Sequence, residues 1–120
     1  MAETPEGRVK RKIKDILKAF GADVYYFMPA MGSFGKSGVP DIVACVYGEF
    51  VAIEVKADKQ KNPPTALQTK NLTEIETARG SALVIDAEDL EVLKRFLTTV
   101  VHRRKDMEKV VGGVIKGYVK

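Results

Sequence analysis

Two apolar, β-branched runs separated by a single Gly-Glu dipeptide constrain this chain more than any other feature. Asp41-Ile42-Val43-Ala44-Cys45-Val46-Tyr47 and Phe50-Val51-Ala52-Ile53-Glu54-Val55-Lys56 both read as strands, with only Gly48-Glu49 between them. Glycine at the first of two central positions suits a tight II′ turn, so the pair is predicted to be a β-hairpin. Such a turn sets Tyr47 opposite Phe50, which places Val43 opposite Glu54 and Asp41 opposite Lys56. Opposite residues in an antiparallel pair share a face. Asp41, Glu54 and Lys56 are therefore expected on one side of the sheet, at the open end of the hairpin. Diagonal neighbours there lie about 7–8 Å apart, within reach for two carboxylates to converge on one cation.

Carboxylates are hard oxygen ligands suited to Mg²⁺ or Mn²⁺, ions that keep waters and accept phosphate oxygens as further ligands. Bound there, such an ion lowers the pKa of water and neutralises charge that builds on a phosphodiester under attack. The ammonium of Lys56 is placed to orient the water or to stabilise that charge. The plainer reading is a surface ion pair between Lys56 and Asp41, worth little. An acid in mid-strand and the Gly38-Val39-Pro40 lead-in weigh toward a site.

The series Gly38-Val39-Pro40-Asp41, hairpin, Glu54-Val55-Lys56 resembles the PD-(D/E)XK nuclease signature, and more closely its VRR-NUC branch, whose small stand-alone members are often viral. The likeness runs from about Glu6 to about Leu93. It implies a restriction-endonuclease-like αβββαβ core and a metal site in which Asp41 and Glu54 bind the ion, Val55 lends its backbone carbonyl, and Glu6 on the first helix contributes. It makes Lys56 catalytic, with Gln68 on the following helix assisting. The segment Met31-Gly32-Ser33-Phe34-Gly35-Lys36-Ser37 departs from the pattern, offering only Lys36 where relatives often carry arginine. The resemblance further implies structure-selective cutting of branched or four-way (Holliday) junction DNA by a homodimer. The charged N-terminus lacks a signal-peptide hydrophobic region, so the protein is expected to act inside the cell, in the cytoplasm.

The rest of the chain fits a single domain over residues 1–120, with its core at about 4–98 and a basic, then apolar extension at 99–120. Thr4-Pro5-Glu6 opens a helix on which Val9, Ile13, Ile16, Leu17 and Phe20 form the buried stripe. Glu6 also has a simpler use, since acids favour a helix's first turn. Lys10 and Lys14 on this helix, with Lys36, Lys59 and Lys61 around the site, are candidate phosphate contacts; solvation alone accounts for such charges equally well. Asp23 to Met28 is the first strand, its aromatics expected in the core rather than stacked on bases. Pro29 to Pro40 reads as a loop. Gly35-Lys36-Ser37 is followed by Gly and Pro and opens no helix, so it is not a nucleotide-binding P-loop and no nucleotide cofactor is expected.

Past the hairpin, a helix from Pro64 to about Arg79 turns Leu67, Leu72, Ile75 and Ala78 inward, and Ala82-Leu83-Val84-Ile85 reads as a buried parallel strand. Asp86 caps a last helix from about Ala87 to Thr98. His102-Arg103-Arg104-Lys105 reads as a basic turn, and Val110 to Val119 as an added strand or a segment docking on a second copy. A formal charge of +4 is compatible with nucleic acid without requiring it. One cysteine and one histidine exclude a disulfide framework and a Cys/His zinc set. Cys45 is expected to be buried. No apolar run is long enough for a membrane span.

The expected fold is α/β: a mixed sheet with an antiparallel meander and one parallel strand, helices on both faces. The expected function is a divalent-metal-dependent endonuclease acting on DNA. The alternative is a non-catalytic nucleic-acid-binding or assembly module that keeps the nuclease fold.

Overall fold

The computed structural model describes residues 2–30 and 37–111. Lys36, and the proposed strand or docking segment beyond residue 111, lie outside the described residues.

Helix α1 (Pro5–Ala19) starts where the sequence places it: the Thr4 hydroxyl accepts from the Gly7 N–H, and proline occupies the first turn. Its apolar stripe buries Val9, Ile13, Ile16 and Leu17. A 3₁₀ turn (Gly21–Asp23) leads to β1 (Val24–Phe27), followed by β2 (Ile42–Val46) and β3 (Glu49–Val55). Helix α2 (Ala66–Thr77) crosses to β4 (Ser81–Ile85), and a second 3₁₀ turn (Ala87–Asp89) enters α3 (Leu90–Val111). The sheet order is β1-β2-β3-β4, antiparallel except for the parallel β3–β4 pair. This is the expected meander with one crossover strand.

The hairpin register differs from expectation by two residues. Val46 pairs with Glu49 and Ile42 with Ile53, so the turn residues are Tyr47 and Gly48, not Gly48 and Glu49. Both have positive φ (44° and 96°), as a type I′ turn requires. A tyrosine in that region is strained, and tertiary contacts hold it there. Its N–H donates to the Asp23 carbonyl, its carbonyl accepts from the Arg104 guanidinium, and its hydroxyl donates to Glu108. Lys105 sits over its ring. The contacts from Arg104, Lys105 and Glu108 come from a helix longer than expected. Helix α3 continues through His102-Arg103-Arg104-Lys105, which is therefore helix and not a turn, and Val100 and Val101 are buried in the core.

One face of the sheet carries Ile42, Ala44, Val46, Val51, Ile53, Val55 and Ile85, and it packs on the stripes of α1 and α3 through Ile13, Leu17, Leu93 and Leu97. The second face is covered by α2 on the β3–β4 side only, where Leu72 and Asn71 are buried. This partial cover explains why Cys45 is exposed and why Tyr25 and Phe27 are 72% and 50% exposed, against expectation. Leu67 in the first turn of α2 and Ala78 just past its end are also exposed, not inward as expected. Alternation along a strand predicts which residues share a face. It does not say how far a single helix reaches across that face.

Candidate active site

The two-residue shift in register preserves the shared face, because strand side chains repeat every two residues. It also improves the site. Continuing the observed pairing by one residue sets Asp41 opposite Glu54, not opposite Lys56. Asp41 lies one residue before β2, and its Oδ2 accepts from the Val55 N–H at 2.8 Å, extending the ladder with a side chain. Gly38 makes this approach possible. Its φ is +75°, and a Cβ there would lie 2.7 Å from the Leu67 side chain and 3.0 Å from the α2 backbone. Asn71, a residue with no evident sequence signal, ties the same approach to α2: its amide donates to the carbonyls of Ser37 and Leu67.

Glu54 is 3% exposed. Burial, then the neighbouring Asp41 carboxylate, pushes its pKa up from 4.5 to about 7, against the opposing pull of Lys56. Lys56 Nζ stands 3.4 Å from Glu54 Oε2 and donates to Gln68 Oε1 at 2.9 Å. The same Gln68 oxygen accepts from the Thr65 N–H, while the Thr65 hydroxyl accepts from the Gln68 N–H. This capping box fixes the first turn of α2 and with it the acceptor that holds Lys56. Gln68 thus meets the site through the lysine.

Of the other candidates, Lys10 on α1 reaches the centre, with Nζ 3.6 Å from Asp41 Oδ1. Glu6 sits one turn before it, half-buried in the first turn of α1. Among the described residues, no three His, Cys, Asp or Glu side chains gather as a metal-holding group, so Glu6 stands apart from the Asp41–Glu54 pair. Lys14 is half-buried farther along the same helix. Lys59 is committed elsewhere: its ammonium pairs with Asp89 at 2.7 Å and its N–H donates to Asp86. Lys61 is exposed beside the site strand.

The donor set suits a hard divalent ion. A carboxylate pushed upward by burial and then by its acidic neighbour would be relieved by a bound cation.

Two carboxylates and a lysine at the open end of an antiparallel pair, in a mixed sheet flanked by helices, define a restriction-endonuclease-like core. A family model, that of the archaeal Holliday junction resolvase (Hjc), matches residues 5–75. The match takes in more than half of the chain, from α1 to the last turns of α2, and the chain belongs to this family of PD-(D/E)XK-type nucleases. It is accordingly a nuclease with DNA as its partner. No curated protein and no solved structure matches it. Among the described residues, no helix is long and apolar enough to cross a membrane.

Proposed function

We propose that this chain is a divalent-metal-dependent endonuclease that cuts branched DNA, four-way junctions above all. The observation that carries the reading is the grouping of a buried Glu54, an adjacent Asp41 and a Lys56 gripped between Glu54 and Gln68. Asp41, Glu54 and the Val55 carbonyl would hold Mg²⁺ or Mn²⁺, and Glu6, which stands apart on α1, would reach the ion only through water. Once bound, the ion supplies charge neutralisation at the phosphate and acidifies water. Lys56 orients the attacking water and stabilises negative charge on the phosphate oxygens. Gln68 keeps the lysine on the attack side. Lys61, Lys14 and Lys36 are the phosphate contacts that seat the DNA backbone.

Cutting a junction symmetrically takes two such sites, which supports a homodimer. The uncovered sheet face at Tyr25, Phe27, Cys45 and Phe50 is apolar surface of the kind a second copy covers. The Gly38-Val39-Pro40-Asp41 lead-in supports a place near the VRR-NUC branch.

The test is incubation with Mn²⁺ and a panel of linear, flapped, four-way and RNA substrates, for the parent, Asp41→Asn and Lys56→Met. The parent is expected to cut the four-way substrate, and both variants to bind it while cutting at least about a hundredfold more slowly. A Lys56→Met protein that cuts at the parent rate overturns the assignment. DNA binding with no metal-dependent cleavage by the parent favours the non-catalytic module instead.

A further inference from the structure

Lys10 has a place in the centre that the proposed chemistry does not use. Asp41 offers two oxygens. Oδ2 accepts from the Val55 N–H at 2.8 Å, and Oδ1 is the oxygen that already faces a cation. Lys10 stands on that oxygen, 3.6 Å away, with its side chain 26% exposed and that of Asp41 18% exposed. On the far side of the acid pair, Lys56 faces Glu54 Oε2 at 3.4 Å. The centre is therefore a row of two acids bracketed by two ammonium groups, one from β3 and one from α1.

The two lysines are held differently. Lys56 is anchored by a second partner, the Gln68 oxygen at 2.9 Å. Among the described residues, Lys10 makes the Asp41 contact and no other. Its neighbours Val9 and Ile13 are buried in the core, so the helix brings the stem of Lys10 to the site whatever its head contacts. A divalent ion using Asp41 Oδ1 must take the position next to this ammonium, and like charges at that separation exclude each other.

We infer that Lys10 is a resident counter-ion of the metal site: it neutralises Asp41 while the site is metal-free, competes with the incoming divalent ion for Oδ1, and is displaced when the ion binds. Displacement leaves a flexible cation at the mouth of the site, beside the position of the substrate phosphodiester. Metal loading and the availability of this cation are thus linked. This inference rests on the proposed metal site, and the experiment separates the two.

Mn²⁺ binding is measured by calorimetry, without DNA, for the parent, Asp41→Asn, Lys10→Met and Lys10→Arg. Methionine keeps the apolar stem and removes the charge, whereas arginine keeps a competing cation. Circular dichroism checks that each variant is folded, and Lys10→Gln replaces Lys10→Met if that protein is not. Removing a partly screened ion pair is expected to tighten Mn²⁺ binding about three- to tenfold in Lys10→Met, with Lys10→Arg staying near the parent. Equal or weaker binding by Lys10→Met, while the parent binds Mn²⁺ in an Asp41-dependent way, overturns the counter-ion role and leaves the metal site standing. No Asp41-dependent binding by the parent overturns both.

Discussion

Replacing Glu54 with glutamine is expected to stabilise the metal-free protein while abolishing cleavage. The physical basis is the carboxylate's burial beside Asp41, which raises its pKa from 4.5 to about 7. The unfolded chain releases this proton near pH 4.5, whereas the folded chain holds it up to about 7. The folded state therefore loses stability as pH climbs through that window and carries the whole penalty above it. A shift of this size, at about 1.4 kcal/mol per unit, amounts to roughly 3 kcal/mol at most. Glutamine keeps the shape, removes the charge and leaves Lys56 bonded to Gln68. In EDTA at pH 8.5, the variant's thermal midpoint should exceed the parent's by roughly ten degrees for a chain of this size. At pH 5 the two should melt close together. Saturating Mn²⁺ should stabilise the parent and do little for the variant. The reasoning fails if the variant gains nothing at pH 8.5, or if its gain is the same at pH 5, because only a charge effect fades across that window.

Gly38→Ala forces an alanine into a left-handed conformation and against Leu67, so a loss of about 2–4 kcal/mol in denaturant midpoint experiments is expected, with cleavage impaired because Asp41 is displaced. A loss under 0.5 kcal/mol would show that the approach to Asp41 is not constrained by α2. Gln68→Ala removes the acceptor of both the Thr65 N–H and Lys56, so it should cost about 1 kcal/mol of stability and lower kcat more than it raises KM. A change confined to KM would place Gln68 in substrate binding.

Most of the fold could be read in the chain because each element carries its own local signal. Thr4-Pro5 and Thr65 mark helix starts, β-branched runs mark strands, and the crossover follows from strand order. The register departs from expectation because the local rule prefers glycine at the first turn position. The actual turn puts Tyr47 there, held by Arg104, Lys105 and Glu108 from α3, some 57 to 61 residues later in the chain. No local pattern contains that information. The difference leaves the shared face intact because it is even, and it makes Asp41 a direct and not a diagonal neighbour of Glu54. Cys45 and Phe27 are exposed against expectation for a different reason: alternation is a property of a strand, and cover is a property of what packs on it. Lys10 was legible only as one charge among many on α1. Its placement on Asp41 depends on how the helix lies across the sheet, a tertiary fact.

The clamp at the closed end of the hairpin has a consequence at its open end. Arg103 grips Glu49, Arg104 the Tyr47 carbonyl and Lys105 Asp23, so cations that look like a ready-made landing strip for DNA are already engaged by the protein itself. Their task is closer to that of a registration pin. By locking which residues form the bend, they fix the phase of both strands, and so decide whether the two acids five rungs away arrive abreast or staggered. Inserting a residue at the bend would throw one acid onto the opposite surface, and inserting two would slide the acids a full repeat apart. The length of this remote bend is thus under the same constraint as the reactive groups themselves.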